Sequence, residues 1–277
     1  MNSGQKTFDS VIALSAVFVA LVFVVACLAP WIAPYGLGGM ESQQMLQTPS
    51  PSHWMGTDGL GRDLLTRILY GARVSLAVGL GTALISLLLG TTYGLLAGFK
   101  GGNWDHLLMR VVDIFYGLPD MLIFILLSLL FGRNIGGLLV ALGLVGWVRF
   151  ARIARGQVLQ TKELLFVESA RALGASRGRI LLWHILPNIV GPVIVTLTFS
   201  IPSAILAEST LSFIGIGIND PYSSWGTSWG TLAQDGYRAM RSYPHMIAFP
   251  AAAIFLTILS FNTLGNGLRD LLDPKQK

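Results

Sequence analysis

Few residues in this chain are of a type and spacing that could do chemistry. The four histidines, His53, His106, His184 and His245, are scattered and show no metal-ligand spacing. No G-x-x-x-x-G-K-[ST] loop occurs, so nothing here is built to cradle a nucleotide phosphate. The GLGRD segment at Gly59–Asp63 has glycines but lacks the lysine and the strand context of such a loop. No convergent nucleophile and base are visible. The expected sets of catalytic, cofactor-binding and metal-binding residues are therefore empty, and the chain reads as a non-enzyme.

Two carboxylates lie near apolar runs, where an ionisable group is costly and flags function. Asp113 stands beside Arg110 and reads either as a functional intramembrane charge or, the favoured reading, as half of an interfacial ion pair. Glu208 reads either as a wall or gate residue or, again favoured, as a helix-end carboxylate. His184 is expected to pack or hydrogen-bond locally.

One stretch builds something mechanical instead. Thr161–Asn188 reads TKELLFVESARALGASRGRILLWHILPN, a polar and basic island between long apolar runs. Thr161 is expected to N-cap a helix with Glu163 in its first turn, where the helix dipole favours negative charge. Leu164, Leu165, Val167, Ala170, Ala172 and Leu173 give that helix a partly apolar face. Gly174 is placed to end it in the left-handed conformation. Ser176 caps the next helix, and Pro187 bends it. The product is helix, tight turn, helix. It is either a docking knob or a plain amphipathic connector between two spans.

The elements that hold this stretch are membrane spans. The chain has 277 residues, of which 53% are hydrophobic and 12% charged, against about 25% charged in ordinary soluble domains. Mean hydropathy is +0.63. The net charge of +5 is no nucleic-acid signal, because the basic residues lie between spans. Cys27 alone excludes an internal disulfide framework. The first apolar run is too long for a cleavable signal core and is read as a retained span.

The apolar runs predict an all-α, polytopic transmembrane bundle of six spans, at about 11–32, 74–98, 107–131, 135–153, 180–205 and 246–264. Asp63 onward is expected to form a short amphipathic helix feeding span two. Glycines 79, 81, 90 and 94 in that span suit close helix packing in lipid. Pro119 should kink span three, and Pro187, Pro192 and Pro202 interrupt span five. No internal repeat is visible, which disfavours an inverted-repeat secondary carrier.

Lysines and arginines set the orientation. With the Thr161 island cytoplasmic, thirteen basic residues lie inside: Lys6, Lys100, Arg110, Arg149, Arg152, Arg155, Lys162, Arg171, Arg177, Arg179, Arg269, Lys275 and Lys277. Six lie outside: Arg62, Arg67, Arg73, Arg133, Arg238 and Arg241. Both termini are thus expected in the cytoplasm, with 38–72 and 209–244 external. The external cluster Arg62, Arg67 and Arg73 runs against this rule, and packing on the protein's own outer surface is the reading offered for it.

The Thr161–Asn188 stretch, with Glu168-Ser169-Ala170, Gly174 and Leu186-Pro187, resembles the Glu-Ala-Ala loop of ABC-importer permeases, the membrane subunits of binding-protein-dependent uptake systems. The likeness extends along the chain in order. HWMGTDGLGRDLLTRILYGARVSLAVG (53–79), HILPN (184–188), AESTLSFIGIGI (207–218), the SWG triplets at Ser224 and Ser228, and FNTLGNGLRDLLDP (261–274) resemble the peptide/nickel branch. The form is that of the second of two permeases in dipeptide and oligopeptide uptake systems. Ser169 stands in place of the loop's central alanine, Asn266 where this branch often has aspartate, and His184 where many permeases carry isoleucine.

The resemblance implies a division into 1–71, an N-terminal transmembrane helix and external segment, and 72–277, a permease core with a cytoplasmic coupling helix in loop 161–188. It implies a bacterial plasma (inner) membrane location and no cofactor. The implied partners are a paralogous permease, two ABC ATPase subunits, a periplasmic or lipid-anchored substrate-binding protein and the lipid itself. Leu165, Glu168, Ser169, Ala170, Arg171, Ala172, Gly174, Leu186 and Pro187 are the implied ATPase-coupling residues. The implied cargo is a di- or oligopeptide, with nickel, glutathione or another small solute as the runner-up. Met109, Met121, Met240 and Met246 are dispersed, which favours peptide over metal. A stand-alone carrier or a membrane enzyme is the reading of a different class.

Overall fold

The computed structural model describes residues 3–39, 44–218 and 225–272. Ser224, Pro274, Lys275 and Lys277, which the sequence reading used, lie outside the described residues, as does the side chain of Lys6. The described residues form α1 (Ser3–Ile32), α2 (Leu64–Lys100), α3 (Gly102–Tyr116), α4 (Asp120–Phe131), α5 (Ile135–Thr161) and α6 (Leu165–Ala172). Then α7 (Arg177–Arg179) runs through a π-helical segment (Ile180–Ile185) into α8 (Leu186–Phe213), followed by α9 (Trp229–Ala239) and α10 (His245–Leu272).

Among the described residues, five helices are long and apolar enough to cross a membrane, and six if the α3–α4 pair counts as one. That pair replaces the kinked span expected over 107–131: its halves meet at 89°. Gly117 closes α3, and Pro119 opens α4 from an extended conformation. Proline has no N–H to continue the ladder and disfavours helical backbone at Leu118 before it, so the chain breaks rather than bends. The short amphipathic helix expected from Asp63 is the first part of one continuous helix, α2. Asp63 caps it, its carboxylate accepting from the Thr66 N–H at 2.8 Å.

The bundle is organised on α2 and α5. Gly90, Gly94 and Gly98 recur one turn apart along α2 and face α5. A Cβ on Gly90 would fall 2.6 Å from the Phe150 Cβ and also strike the Trp147 carbonyl; one on Gly94 would strike the Ala151 carbonyl and sit 2.9 Å from the Ala154 Cβ. Lipid tails are as apolar as the helices, so such pairs associate through close van der Waals contact, which small residues permit. α8 and α10 pack around this pair, with Ile201, Ile205 and Phe261 joining Ala72, Leu76 and Ala83 of α2 in one cluster. α1 lies outermost, Leu14, Val17, Leu21 and Val24 exposed along one side.

At one end α9 packs against α2, α8 and α10. Its Ser228 cap accepts the Thr231 N–H, the Trp229 indole donates to the Ile68 carbonyl at 3.0 Å, and the Trp229 N–H donates to Ser75 Oγ at 3.1 Å.

Substituting Gly94 by valine forces two backbones apart, an overpacking cost of at least about 1–3 kcal/mol. The expected outcome is a lower thermal midpoint and less folded protein in detergent size-exclusion profiles. A Cβ at Gly156 of α5 meets nothing within 4 Å. Gly156→Ala should leave the midpoint unchanged or raise it; equal behaviour of the two variants would contradict the seam.

Candidate functional site

The first feature is the knob at α6. Thr161 does not cap it: Thr161 is the last residue of α5, and Leu164 opens α6 without a side-chain cap. α5 simply continues two turns past the predicted end of its span, so the acidic Glu163 falls in the link before α6. The C-terminal end follows the sequence. Gly174 has φ +80, its N–H donates to the Arg171 carbonyl at 3.0 Å, and the Ala175 N–H reaches back to the Ala170 carbonyl at 3.0 Å. This pair of bonds is a Schellman turn, which favours glycine at the left-handed position. Ser176 then caps the next helix, accepting the Arg179 N–H at 3.3 Å.

α6 is held by one side chain. Val167 is its only buried residue, inserted among Val158 of α5, Ile180 and Ile185 of the π segment and Ile189 of α8, with Leu95 and Phe99 of α2 alongside. The rest of the knob faces outward: Leu165 is 80% exposed and Leu173 89%. Glu168, Ser169, Arg171, Ala172 and Gly174 are exposed, and Ala170 is half-buried. Ser169 spends its hydroxyl on the Leu165 carbonyl at 2.8 Å. Leu186 packs against the Val167 cluster, and Pro187 is exposed beside it at the start of α8. The Leu186 N–H donates to the Leu181 carbonyl, five residues back. This wider turn absorbs Pro187, which has no N–H to offer. His184 bonds locally, Nδ1 lying 3.4 Å from the Arg179 carbonyl oxygen and its own carbonyl accepting from Asn188 Nδ2 at 2.6 Å.

The second feature, absent from the sequence reading, is an open cavity of about 730 Å³ between α2, α3–α4, α5 and α8. Phe115, Tyr116, Met121 and Phe124 face Ser200, Ser203 and Thr210 across it, and Asp120 and Arg149 contribute charge. Glu208 is not part of its wall. It is fully buried near the end of α8, where its carboxylate accepts from Ser212 at 2.6 Å. Ser212 in turn accepts from Ser228, the cap of α9. Asp113 does form an ion pair at the surface, but with Arg152 at 3.4 Å and not with Arg110.

The third feature accounts for the three awkward arginines. Asp58 accepts from Arg62 Nε at 2.8 Å and from Arg67 Nη1 at 2.6 Å, and Arg67 reaches on to Asp235 of α9 at 3.3 Å. Arg73 lies over the rings of Tyr70 and Trp225, at 5.7 and 5.1 Å. These cations are neutralised or stacked within the protein. Burial pushes the Asp58 carboxyl upward, but Arg67, the N–H and guanidinium of Arg62 and the Leu60 N–H outweigh it and hold its pKa below the ordinary value.

Residues 90–277 match the family described as "Binding-protein-dependent transport system inner membrane component". The chain belongs to this family. It is a multi-pass inner-membrane transport component with the helical bundle of an ABC-importer permease. This permease is 45% identical over 266 residues to the dipeptide transport system permease protein DppC of Bacillus subtilis, covering 95% of this chain and 82% of that one. It is 43% identical over 264 residues to the glutathione transport system permease protein GsiD of Escherichia coli, covering 95% and 86%. A structure of the MetNI methionine ABC transporter in inward-facing conformations shares the fold, with a TM-score of 0.59 at 14% identity over 76% of this chain and 96% of that one.

The permease's Asp58 network makes one pH-dependent statement. A folded-state pKa below the unfolded value gives stability that is full above the unfolded pKa, about 3.9, and lost as pH falls through the folded one. Asp58→Asn is therefore expected to lower the thermal midpoint at pH 7, since it leaves Arg67 short of its main buried partner. The gap to wild type should close as the pH falls below about 4. An unchanging gap down to pH 3 would contradict the assignment.

Proposed function

We propose that this chain is one of two paralogous permeases in an ATP-driven importer of di- or oligopeptides, with an external binding protein delivering cargo and two separate ATPase subunits supplying the work. The observation that carries the reading is the α6 knob: exposed on nearly every residue, closed by a Schellman turn, and fixed through Val167 to three helices that also line the cavity. A partner seated on Leu165, Glu168, Ser169, Ala170, Arg171, Ala172 and Gly174 can push on α2, α5 and α8 at once. Leu186 and Pro187 transmit the push at the root of α8.

The orientation that fits places the knob and both termini in the cytoplasm, with α9 and the Asp58 network outside. The nucleotide chemistry belongs to the partner, because this sequence has no phosphate-binding loop. Peptide cargo is supported by the dipeptide permease relative, and the glutathione permease relative extends the class to a γ-linked tripeptide. The division at residues 71 and 72 is kept as a functional one: the first helix and the external segment clamp a core formed by the remainder.

Gly174→Val is the direct test. Valine at a positive φ is strained by about 1–2 kcal/mol, yet a Cβ there meets nothing within 4 Å among the described residues. The expected outcome is normal membrane level with peptide uptake and peptide-stimulated ATP hydrolysis abolished in the reconstituted assembly; Gly174→Ala should be milder. Wild-type uptake by the valine variant would reduce α6 to a connector.

A further inference from the structure

Three arginines on α5 are three residues apart: Arg155, Arg152 and Arg149. Three aspartates run the opposite way along α3 and into α4: Asp105, Asp113 and Asp120. The first rung is closed, Arg155 gripping Asp105 with Nε and Nη2 at 2.6 and 2.7 Å. The second is closed, Arg152 meeting Asp113 at 3.4 Å with its guanidinium stacked 4.1 Å over the Tyr116 ring. The third is open. Neither Arg149 nor Asp120 forms an ion pair or hydrogen bond among the described residues, and both line the 730 Å³ cavity.

The helix explains the opening. Each three-residue step along an α-helix falls about 60° short of a full turn, so Arg149 is rotated about 120° from Arg155. The ladder therefore turns off the α3 interface and into the cavity. On the other side, the break at Gly117–Pro119 swings Asp120 away from the line of Asp105 and Asp113. Both side chains are exposed on the open wall of the cavity, free to meet a charged ligand there. Two opposite charges, unpaired in one cavity, suit a ligand that brings both an anion and a cation.

We propose that Arg149 and Asp120 form this permease's share of a transient substrate site, Arg149 receiving the free carboxylate of the peptide and Asp120 its free ammonium group. The inference rests on the peptide-importer reading above and deepens it. The guanidinium offers a carboxylate two parallel hydrogen bonds, and the aspartate accepts from an ammonium. Phe115 and Phe124 are left to contact the rest of the peptide, and the hydroxyls of Ser200 and Ser203, which donate to the Leu197 and Phe199 carbonyls, can still accept from it. Such a site reads the free ends of a short peptide and leaves side-chain selection to the delivering protein.

The test uses the full reconstituted assembly with radiolabelled dialanine, trialanine and glutathione. Import per ATP hydrolysed is measured for wild type, Arg149→Gln, Arg149→Lys and Asp120→Asn. Loss of one charge-assisted contact is expected to lower that ratio about tenfold in the glutamine and asparagine variants. ATP hydrolysis stimulated by the loaded binding protein should persist, and the lysine variant should keep most of the import. Wild-type ratios in the glutamine and asparagine variants would overturn the site while leaving the importer reading intact. Failure of the wild-type assembly to import any of the three probes would overturn both readings. Should the variants not reach the membrane, a diazirine analogue of dialanine cross-linked to the wild-type assembly decides: label between Asp120 and Phe150 supports the site, and label confined to other segments contradicts it.

Discussion

The close approach of α2 to α5 is the contact on which the remaining structure depends. Two helices in lipid do not gain by hiding apolar surface from their surroundings, so they must gain by fitting. Gly90, Gly94 and Gly98 leave a groove along α2 into which the backbone of α5 settles at Trp147, Ala151 and Arg155. Once these two helices are fixed, the Val74, Val78, Leu138 and Leu142 side chains close one side, and Leu211 of α8 seals it. Tyr93 and Phe115 meet the Trp147 ring edge-on at 4.8 and 5.9 Å, which holds α3 against the same seam. The cavity is what remains where the broken α3–α4 pair fails to fill the next gap.

The two ends of this rigid pair carry different chemistry. At the α6 end, the chain is tied by Arg155 to Asp105 and by Lys162 Nζ to the Gly98 carbonyl at 3.4 Å, so α2, α3 and α5 end as one block. α6 leans on that block through Val167, its one buried residue. A force on the knob is therefore taken up by helices that cannot slide past each other and passes along them to the cavity. At the α9 end, Arg67 bridges Asp58 and Asp235, and Trp229 fits over Gly71. Buried polar contacts fix α9 there, and Glu208 with its serines continues them into α8.

Features governed by neighbours in sequence were legible, and features governed by neighbours in space were not. Gly174 ends its helix because glycine alone takes that backbone conformation without cost, and Ser176 caps the next one by local bonding. The glycines of α2 announced close packing but not the partner. The length of α5 was missed, because Arg149, Arg152 and Arg155 read as the end of a span; two of them are neutralised by aspartates dozens of residues away. Thr161 was assigned to the wrong helix for the same reason. The Arg62, Arg67 and Arg73 cluster looked anomalous until Asp58, Asp235 and the Tyr70 and Trp225 rings were placed beside it. The run of arginines on α5 and the three aspartates of α3–α4 were the signal in the sequence that could have pointed to the cavity.

We propose that the exposed end of α6 is where the energy-supplying partner presses. The most direct measurement places a photoreactive amino acid at Leu173, 89% exposed at the tip of the knob, in the fully assembled transporter. Irradiation should yield one covalent adduct, with an ATPase subunit, whose yield changes when ATP is bound. An adduct with the external binding protein, or none with an ATPase subunit at any stage of the cycle, would contradict the account.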